Sequence, residues 1–288
     1  MSFRTWRDPG LFVRMRTRPL GLAAMGYLIL VALIAVAAPL ISALVTRQDP
    51  LTTNLDAAFG GPSAEHWLGT DQLGRDTLTR LVYGARISLG VGFLTAAVQI
   101  AVGGTLGLLA GYRGGWLDEG IMRVVDTILA FPAIFLFLAM AIVFRPDAVV
   151  LSLIIASVGW GLVARLVRGE ILSLKQHEFV LAARAVGATP TRIVRRHLLP
   201  NVAHVIIVSA SLSVGQIILT EAALDFLGLG VPPSTPSWGN MLTAAQVLLY
   251  RSPLLVVLPG TTIALTVLAA TLLGNAIRDI LDPRLKNA

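Results

Sequence analysis

The chain has 288 residues, of which 55% are hydrophobic and only 14% are charged. These proportions, with a mean hydropathy of +0.77, exclude an ordinary water-soluble globular domain. The sequence contains no cysteine, which excludes disulfides and thiol chemistry, and its net charge of +7 is not gathered in a basic soluble domain of the kind that binds nucleic acid.

Six apolar segments are long enough to cross a membrane, which takes about 20 helical residues. They cover residues 20–45, 87–111, 124–144, 148–164, 202–226 and 253–277. We predict helices, because the other spanning structure, a closed barrel, has a weaker, alternating hydropathy pattern. The sequence therefore predicts an all-α integral membrane protein with six transmembrane helices in a lipid bilayer.

Positive charge is concentrated in three segments outside the spans. Residues 1–19 form a basic tail, residues 165–201 form a basic connection, and residues 280–288 form a second tail. Lysine and arginine beside membrane helices are retained preferentially on the cytoplasmic side. We therefore expect both termini and the connection 165–201 in the cytoplasm, and the protein in the inner (plasma) membrane.

The connection at residues 46–86 is predicted to be extracytoplasmic and to contain an amphipathic helix. Thr70 or Asp71 is placed to cap this helix. Its apolar face consists of Leu78, Leu81, Val82 and Ala85. On physical grounds alone, the segment is a connector that lies along the membrane before the second span.

The second span is rich in glycine at helical spacing. The residues concerned are Gly90, Gly103, Gly104, Gly107 and Gly111. Small residues four positions apart let helix backbones approach closely. We expect this face to pack inside the bundle or against a partner subunit.

The third and fourth spans nearly meet at a tight turn, residues 145–147. Phe131 and Pro132 predict a kink within the third span, of a kind that membrane helices tolerate. Asp126 lies near the inner end of this span, where we expect an ion pair with Arg123.

The connection 165–201 contains two short helical patterns. In the first, the apolar stripe consists of Phe179, Ala182, Ala183 and Val186. Gly187 breaks this helix, because glycine enters left-handed conformations without steric cost. Thr189 caps the second helix, Pro190 occupies its first position, and Pro200 is predicted to end it.

Amide and carboxyl groups inside the spans are costly and therefore suggest a function. Gln99, Gln216, Glu221 and Asp225 are the candidates for a transport pathway or gate. Helix–helix hydrogen bonds explain the two glutamines equally well. Glu221 and Asp225 share one helix face, and a cap or bridge to the loop that begins at Gly228 explains them better than substrate contact.

The connection 165–201 resembles the EAA loop of binding-protein-dependent ABC importer permeases. The matching residues are Ala182, Ala183, Arg184, Gly187 and the ending His197-Leu198-Leu199-Pro200. In that family the loop docks on the ATPase, so the resemblance implies an ATPase-coupling role for these positions and for Arg192, Arg195 and Arg196. Leu181 stands where the family carries its glutamate, so the salt bridge of that glutamate does not carry over.

Three further stretches resemble the C-type permease of dipeptide, oligopeptide and nickel importers. They are His66-Trp67-Leu68-Gly69-Thr70-Asp71 with Leu73-Gly74-Arg75-Asp76, residues 221–230 with Pro236-Ser237-Trp238-Gly239, and residues 273–285. Asn275 departs from the subfamily, which often has an acidic residue there. The resemblance implies a type I ABC importer transmembrane domain, with one helix followed by a five-helix core at residues 87–279.

The same resemblance implies the partners. A homologous B-type permease forms a heterodimer with this chain, two ATPase subunits bind ATP and magnesium, and an extracytoplasmic binding protein delivers the substrate. Dipeptides or oligopeptides are the expected cargo, with nickel, glutathione or opines as alternatives. The chain itself is expected to be a permease subunit without enzymatic activity or cofactor.

The sequence disfavours two other classes of membrane protein. A secondary transporter usually shows an internal repeat and midplane ionisable residues, and neither is evident here. A membrane enzyme needs a nucleophile–base or metal constellation, whereas the four histidines are scattered, so no metal site is predicted. The sequence has no P-loop motif either, so ATP hydrolysis must come from other subunits.

Overall fold

The computed structural model describes residues 15, 18–243 and 245–281, so the predicted tails at residues 1–19 and 280–288 lie largely outside the described residues. Within them the regular secondary structure is helical, apart from one isolated bridge between Thr70 and Asp76, and loops connect the helices. The α-helices are α1 (Pro19–Ile41), α2 (Thr77–Arg113), α3 (Gly115–Leu129), α4 (Ala133–Phe144), α5 (Ala148–Leu174), α6 (Glu178–Ala185), α7 (Pro190–Ile193), α8 (Leu199–Phe226), α9 (Ala245–Arg251) and α10 (Leu254–Leu281). The short 3-10 and π-helical turns are Ser42–Thr46, Leu55–Ala57, Val194–Leu198 and Asn240–Leu242.

Among the described residues, five helical segments are long and apolar enough to cross a membrane. They are Pro19–Thr46, Thr77–Arg113, Ala148–Leu174, Pro190–Phe226 and Leu254–Leu281. Helices α3 and α4 make a sixth span when they count as one, although they are bent by 85° relative to each other. The protein is therefore a multi-pass membrane protein.

The break between α3 and α4 corrects the prediction of one helix over residues 124–144. Pro132 has no amide hydrogen to continue α3, and a proline drives the preceding residue, Phe131, out of helical conformation. Pro132 instead takes an extended conformation, with ψ 121°, and α4 begins directly after it. The expected kink is therefore a break between two helices.

Helix α2 also differs from the prediction, because the amphipathic helix and the second span form one helix of 37 residues. Its cap is Asp76, whose carboxylate accepts a hydrogen bond from the Thr79 amide at 2.7 Å. The predicted caps, Thr70 and Asp71, lie in the preceding loop and are wrong. Isolated glycines do not break a membrane helix, so the connector continues directly into the span.

The predicted glycine face of α2 packs inside the bundle. A Cβ atom at Gly103 or Gly107 would lie 2.4 Å from a carbonyl oxygen of α5, that of Trp160 or Ala164, and one at Gly111 would lie 2.8 Å from Ile171. Contacts this short leave room only for hydrogen, so glycine lets α2 lie directly against α5. Gly90 and Gly104 do not take part in this close approach.

The α7–α8 region corrects the prediction for Pro200. This proline lies in the first turn of α8, and the helix runs from Pro190 to Phe226 without a break. A proline ring inside a helix clashes with the carbonyl four residues earlier. The π-helical turn Val194–Leu198 contains the residue four positions before Pro200 and widens the backbone there, so the helix accommodates the ring.

Candidate coupling segment and transport cavity

Residues 178–198, here called the coupling segment, comprise α6, α7 and the π-helical turn. Gly187 joins the two helices with φ +77°. The Gly187 amide donates to the Arg184 carbonyl at 2.9 Å, and the Ala188 amide donates to the Ala183 carbonyl at 3.0 Å. This pair of bonds is a Schellman ending, which requires a left-handed residue at the position of Gly187. The predicted break is confirmed.

The start of α7 is also as predicted. Pro190 occupies its first position, and the Thr189 hydroxyl accepts a hydrogen bond from the Arg192 amide at 3.4 Å. A cap and a proline at the first helical position fix where a helix begins. The local sequence therefore sets the geometry between the two helices of the coupling segment.

One side of the coupling segment is anchored in the protein. Val180, Ile193 and Leu198 are fully or almost fully buried and form a core cluster with Val163, Val167, Ile171 and Leu174 of α5. The same cluster includes Val202 at the start of α8. Apolar packing therefore attaches the coupling segment to the end of α5 and to the start of α8. A movement of the segment would be transmitted to both helices.

The other side of the segment is exposed and largely apolar. The exposed fractions are 40% for Phe179, 50% for Leu181 and 84% for Val186. The predicted stripe of Phe179, Ala182, Ala183 and Val186 thus lies away from the core. Exposed apolar residues at the end of a helix bundle are typical of a surface that binds another protein.

The arginines Arg184, Arg192 and Arg195 belong to the same segment and are also exposed. Within the described residues none of the three forms an ion pair. His197 is half-buried, with its ring centroid 6.2 Å from that of Phe179, so it links the π-helical turn to α6. Pro200 is exposed at the start of α8. The segment therefore exposes both positive charge and apolar side chains.

A cavity of about 1280 Å³ extends along α5 and α8 to the coupling segment. Both predicted pathway glutamines line it, Gln99 from α2 and Gln216 from α8. The Gln99 side chain lies over Gly159, where a Cβ atom would be 2.0 Å from the glutamine Nε2. Near the coupling segment, Phe179 and Asn201 line the same cavity. The structure therefore brings the two glutamines and the segment together around one space.

Glu221 and Asp225 do not line this cavity. The Asp225 carboxylate accepts hydrogen bonds from the Val231 amide at 2.6 Å and from the Ser237 hydroxyl. These donors belong to the loop after α8, so Asp225 bridges that loop, in agreement with the preferred explanation for this residue.

Glu221 is fully buried and connects α8 to α2. Its Oε1 accepts a hydrogen bond from the Ser88 hydroxyl at 3.1 Å, and the Ser88 oxygen accepts one from the Trp238 amide at 3.2 Å. Its Oε2 has no hydrogen-bond partner among the described residues. We call Ser88, Glu221, Asp225, Ser237 and Trp238 the outer network.

Two ion pairs join α3 to α5, and one of them corrects a prediction. Asp126 pairs with Arg165 at 2.6 Å, not with Arg123, because α5 passes alongside α3. Asp118 and Arg168 form a second pair that was not predicted, in which two guanidinium nitrogens donate to the two carboxylate oxygens, one of them at 2.7 Å. A forked arginine–carboxylate pair fixes the relative position of two helices.

Residues 103–287 match the model of a known family, the binding-protein-dependent transport system inner membrane component. The chain belongs to this family. It is 42% identical to the dipeptide transport system permease protein DppC of Alkalihalophilus pseudofirmus, over 98% of this chain and 91% of that protein. It is 36% identical to the oligopeptide transport system permease protein OppC of Bacillus subtilis, over 99% and 92%.

A third relative is the glutathione transport system permease protein GsiD of Pectobacterium atrosepticum. It is 44% identical over 79% of this chain and 75% of that protein. Among solved structures, the inward facing MetNI methionine ABC transporter is similar with a TM-score of 0.56 and 20% identity, over 70% of this chain and 97% of that chain. The fold is therefore that of a type I ABC importer transmembrane domain, and the chain is a permease of an ABC importer.

Proposed function

We propose that this chain is the C-type permease subunit of an ATP-driven importer of dipeptides or oligopeptides. Two relatives that align over nearly its full length are dipeptide and oligopeptide transport permeases. The chain forms one half of the pathway, which a homologous B-type permease completes as a heterodimer. An extracytoplasmic binding protein delivers the peptide, and two cytoplasmic ATPase subunits bind ATP and magnesium.

The coupling segment carries this proposal. Its apolar stripe and its arginines are exposed, whereas its other side packs on α5 and beside the start of α8, the two main helices along the cavity. When the ATPases close, they push the segment, and the packed cluster passes that movement to both helices. Rigid-body movement of packed helices is a common way to open one side of a transport site and close the other.

The orientation follows from the same proposal. ATPase subunits are cytoplasmic, so the coupling segment and both termini lie on that side. The arginines of the connection 165–201 support this assignment through the positive-inside rule. The outer network then lies on the extracytoplasmic side, at the end of α8 away from the coupling segment.

Site-specific cross-linking tests the docking surface, and the chain suits it because it has no cysteine. Val186→Cys, at an 84% exposed position, is expected to cross-link to the ATPase in the assembled importer. The matched control is Val180→Cys, because Val180 lies in α6 of the same segment and is fully buried. Labelling of Val186→Cys from outside intact cells, or the absence of any cross-link to the ATPase, would contradict the proposal.

Glutathione is the second candidate substrate, because a glutathione permease is 44% identical to this chain. Uptake of a labelled dipeptide, a labelled pentapeptide and glutathione in a deletion strain separates the candidates. We expect this chain to restore peptide uptake only together with an active ATPase. Uptake that persists with an inactive ATPase would indicate a secondary transporter, and uptake of glutathione, nickel or opines alone would replace the peptide assignment.

A further inference from the structure

A small polar cavity of about 20 Å³ lies where the loop before α2 meets the segment from the Asn240–Leu242 turn to α10. Asp71, Arg75, Thr77 and Arg80 line it from the first side. Gln72 also lines it from this side, and the second side consists of Asn240, Met241, Leu248 and Leu255. None of these residues lines the transport cavity, and the proposed transport function assigns them no role.

Positive charge exceeds negative charge around this cavity. Arg75 and Arg80 are only 7% and 3% exposed, and Asp71 is the one carboxylate among the described lining residues. Arg75 Nε donates to Asp71 Oδ2 at 2.7 Å, and Arg80 Nε lies 3.4 Å from the same oxygen. The nearby Asp76 bonds His66 and caps α2 instead. Two buried guanidinium groups therefore share one carboxylate.

The hydrogen-bonding groups of the cavity also lack acceptors. Asp71 Oδ1 is occupied by the amides of Leu73 and Arg75. The Thr77 hydroxyl is fully buried and has no hydrogen-bond partner among the described residues. Besides the contacts with Asp71, the guanidinium groups form one further hydrogen bond among the described residues, from Arg80 Nη1 to the Pro50 carbonyl at 3.2 Å, and the lining oxygens of Gln72 and Asn240 accept none from them. Each guanidinium has five N–H donors, so most of these donors have no partner among the described residues.

We propose that this cavity binds one monoatomic anion of the halide class, chloride under cellular conditions. A site for one water needs roughly 10–15 Å³, so the cavity has room for one atom-sized ligand and excludes phosphate and carboxylates. A water molecule satisfies the Thr77 hydroxyl but leaves the second guanidinium charge unbalanced. A halide accepts a hydrogen bond from the Thr77 hydroxyl and also balances the second guanidinium charge. Buried charges are stable when they are paired and hydrogen-bonded. The anion would lie between the loop before α2 and the apolar side chains of α9 and α10.

Thermal unfolding of the full chain in nanodiscs tests this site. At constant ionic strength, replacing gluconate by chloride or bromide is expected to raise the melting temperature by about 3 °C, because a ligand of the folded state stabilises it. Thr77→Val, which has the same shape without the hydroxyl, should lose this increase, and Thr77→Ser should keep it. An equal melting temperature in chloride and gluconate, or an undiminished increase in Thr77→Val, would overturn the proposal.

A direct measurement decides the case even where a variant fails to fold. Crystals of the unaltered chain grown in bromide should show an anomalous peak between Thr77 and the two arginines. Density there without an anomalous signal would mean that a water occupies the cavity, and the proposal would be wrong. Failure of this test leaves the transport function untouched, because the cross-linking and uptake experiments concern other residues.

Discussion

The coupling segment and the outer network both contain polar residues from the motifs of this chain, but these residues are exposed in the first region and buried in the second. The arginines of the coupling segment are exposed and form no ion pair among the described residues. In the outer network, Glu221 and Asp225 are buried and hold α2, α8 and the following loop together. We propose that the first region binds another protein, whereas the second stabilises this one. Substitutions should therefore affect assembly and coupling in the first region, and folding in the second.

The largest effect is expected for Asp225→Ala. This change leaves the buried Val231 amide and Ser237 hydroxyl without their acceptor, and each unsatisfied group costs about 1–3 kcal/mol. We expect the chain to unfold at a temperature lower by several degrees, measured by thermal unfolding in detergent. Asp225→Asn keeps the shape and one acceptor oxygen, so its loss should be smaller. A melting temperature for Asp225→Ala equal to that of the parent would remove the distinction between the two regions.

Gly187→Val is expected to reduce coupling to ATP hydrolysis and to leave the stability of the chain in the membrane largely unchanged. A β-branched residue at φ +77° is strained by about 1–2 kcal/mol or more. A Cβ atom at this position would meet no described atom within 4 Å, so the cost is conformational and not steric. The variant should insert and remain stable in the membrane but lose coupling between ATP hydrolysis and uptake by at least about tenfold.

The control for this variant is Gly187→Asn, because asparagine tolerates the left-handed region. Reconstituted vesicles with all subunits allow both ATPase activity and uptake to be measured. We expect Gly187→Asn to retain most of both. Parent-level activity in Gly187→Val, with normal subunit stoichiometry, would show that the coupling segment does not transmit movement.

The sequence predicts those features whose causes are local. Gly187, Thr189 and Pro190 each act on a neighbouring turn of backbone, and the structure shows all three as predicted. The spans follow from hydropathy, which depends on composition alone. The glycine face of α2 is also predicted locally, because small residues four positions apart in one helix indicate close packing against a neighbour.

The features that were mispredicted depend on neighbours distant in sequence or on backbone adjustment. Pro200 does not end its helix, because the preceding π-helical turn accommodates the ring. Asp126 pairs with Arg165 because of how α3 and α5 lie together, which no local pattern reveals. Likewise, only the packing separates Gln99 and Gln216, which line the cavity, from Glu221 and Asp225, which do not.

The two ion pairs between α3 and α5 provide a smaller comparison of a half-buried with an exposed polar contact. The Asp118 and Arg168 side chains are 13% and 31% exposed, whereas those of Asp126 and Arg165 are 64% and 51% exposed. Solvent screens the second pair more strongly, so we expect a coupling energy of about 1 kcal/mol for the first pair and no measurable value for the second. Double-mutant cycles with Asp→Asn and Arg→Gln at each pair, read by thermal unfolding, measure both. Equal coupling energies would show that burial does not govern these contacts.

The smallest effects are expected on the exposed side of the coupling segment. Arg195→Glu replaces an exposed positive charge by a negative one on the proposed docking surface, and exposed ion pairs contribute less than about 1 kcal/mol. ATPase binding should therefore weaken by no more than about fivefold, and raised salt should reduce the difference. A much larger loss would mean that this arginine lies inside the interface and not at its edge.

Leu181→Glu provides the counterpart on the same surface. Leu181 is 50% exposed on α6, so a glutamate there meets no burial cost in this chain. It restores the residue that resembling permeases carry at this position, and we expect equal or tighter binding of the ATPase, with an unchanged melting temperature. The measurement is the dissociation constant of the purified ATPase for the permease in nanodiscs at two salt concentrations. Weaker binding at both would mean that the partner surface facing Leu181 is apolar, and that this importer has replaced the family salt bridge by a hydrophobic contact.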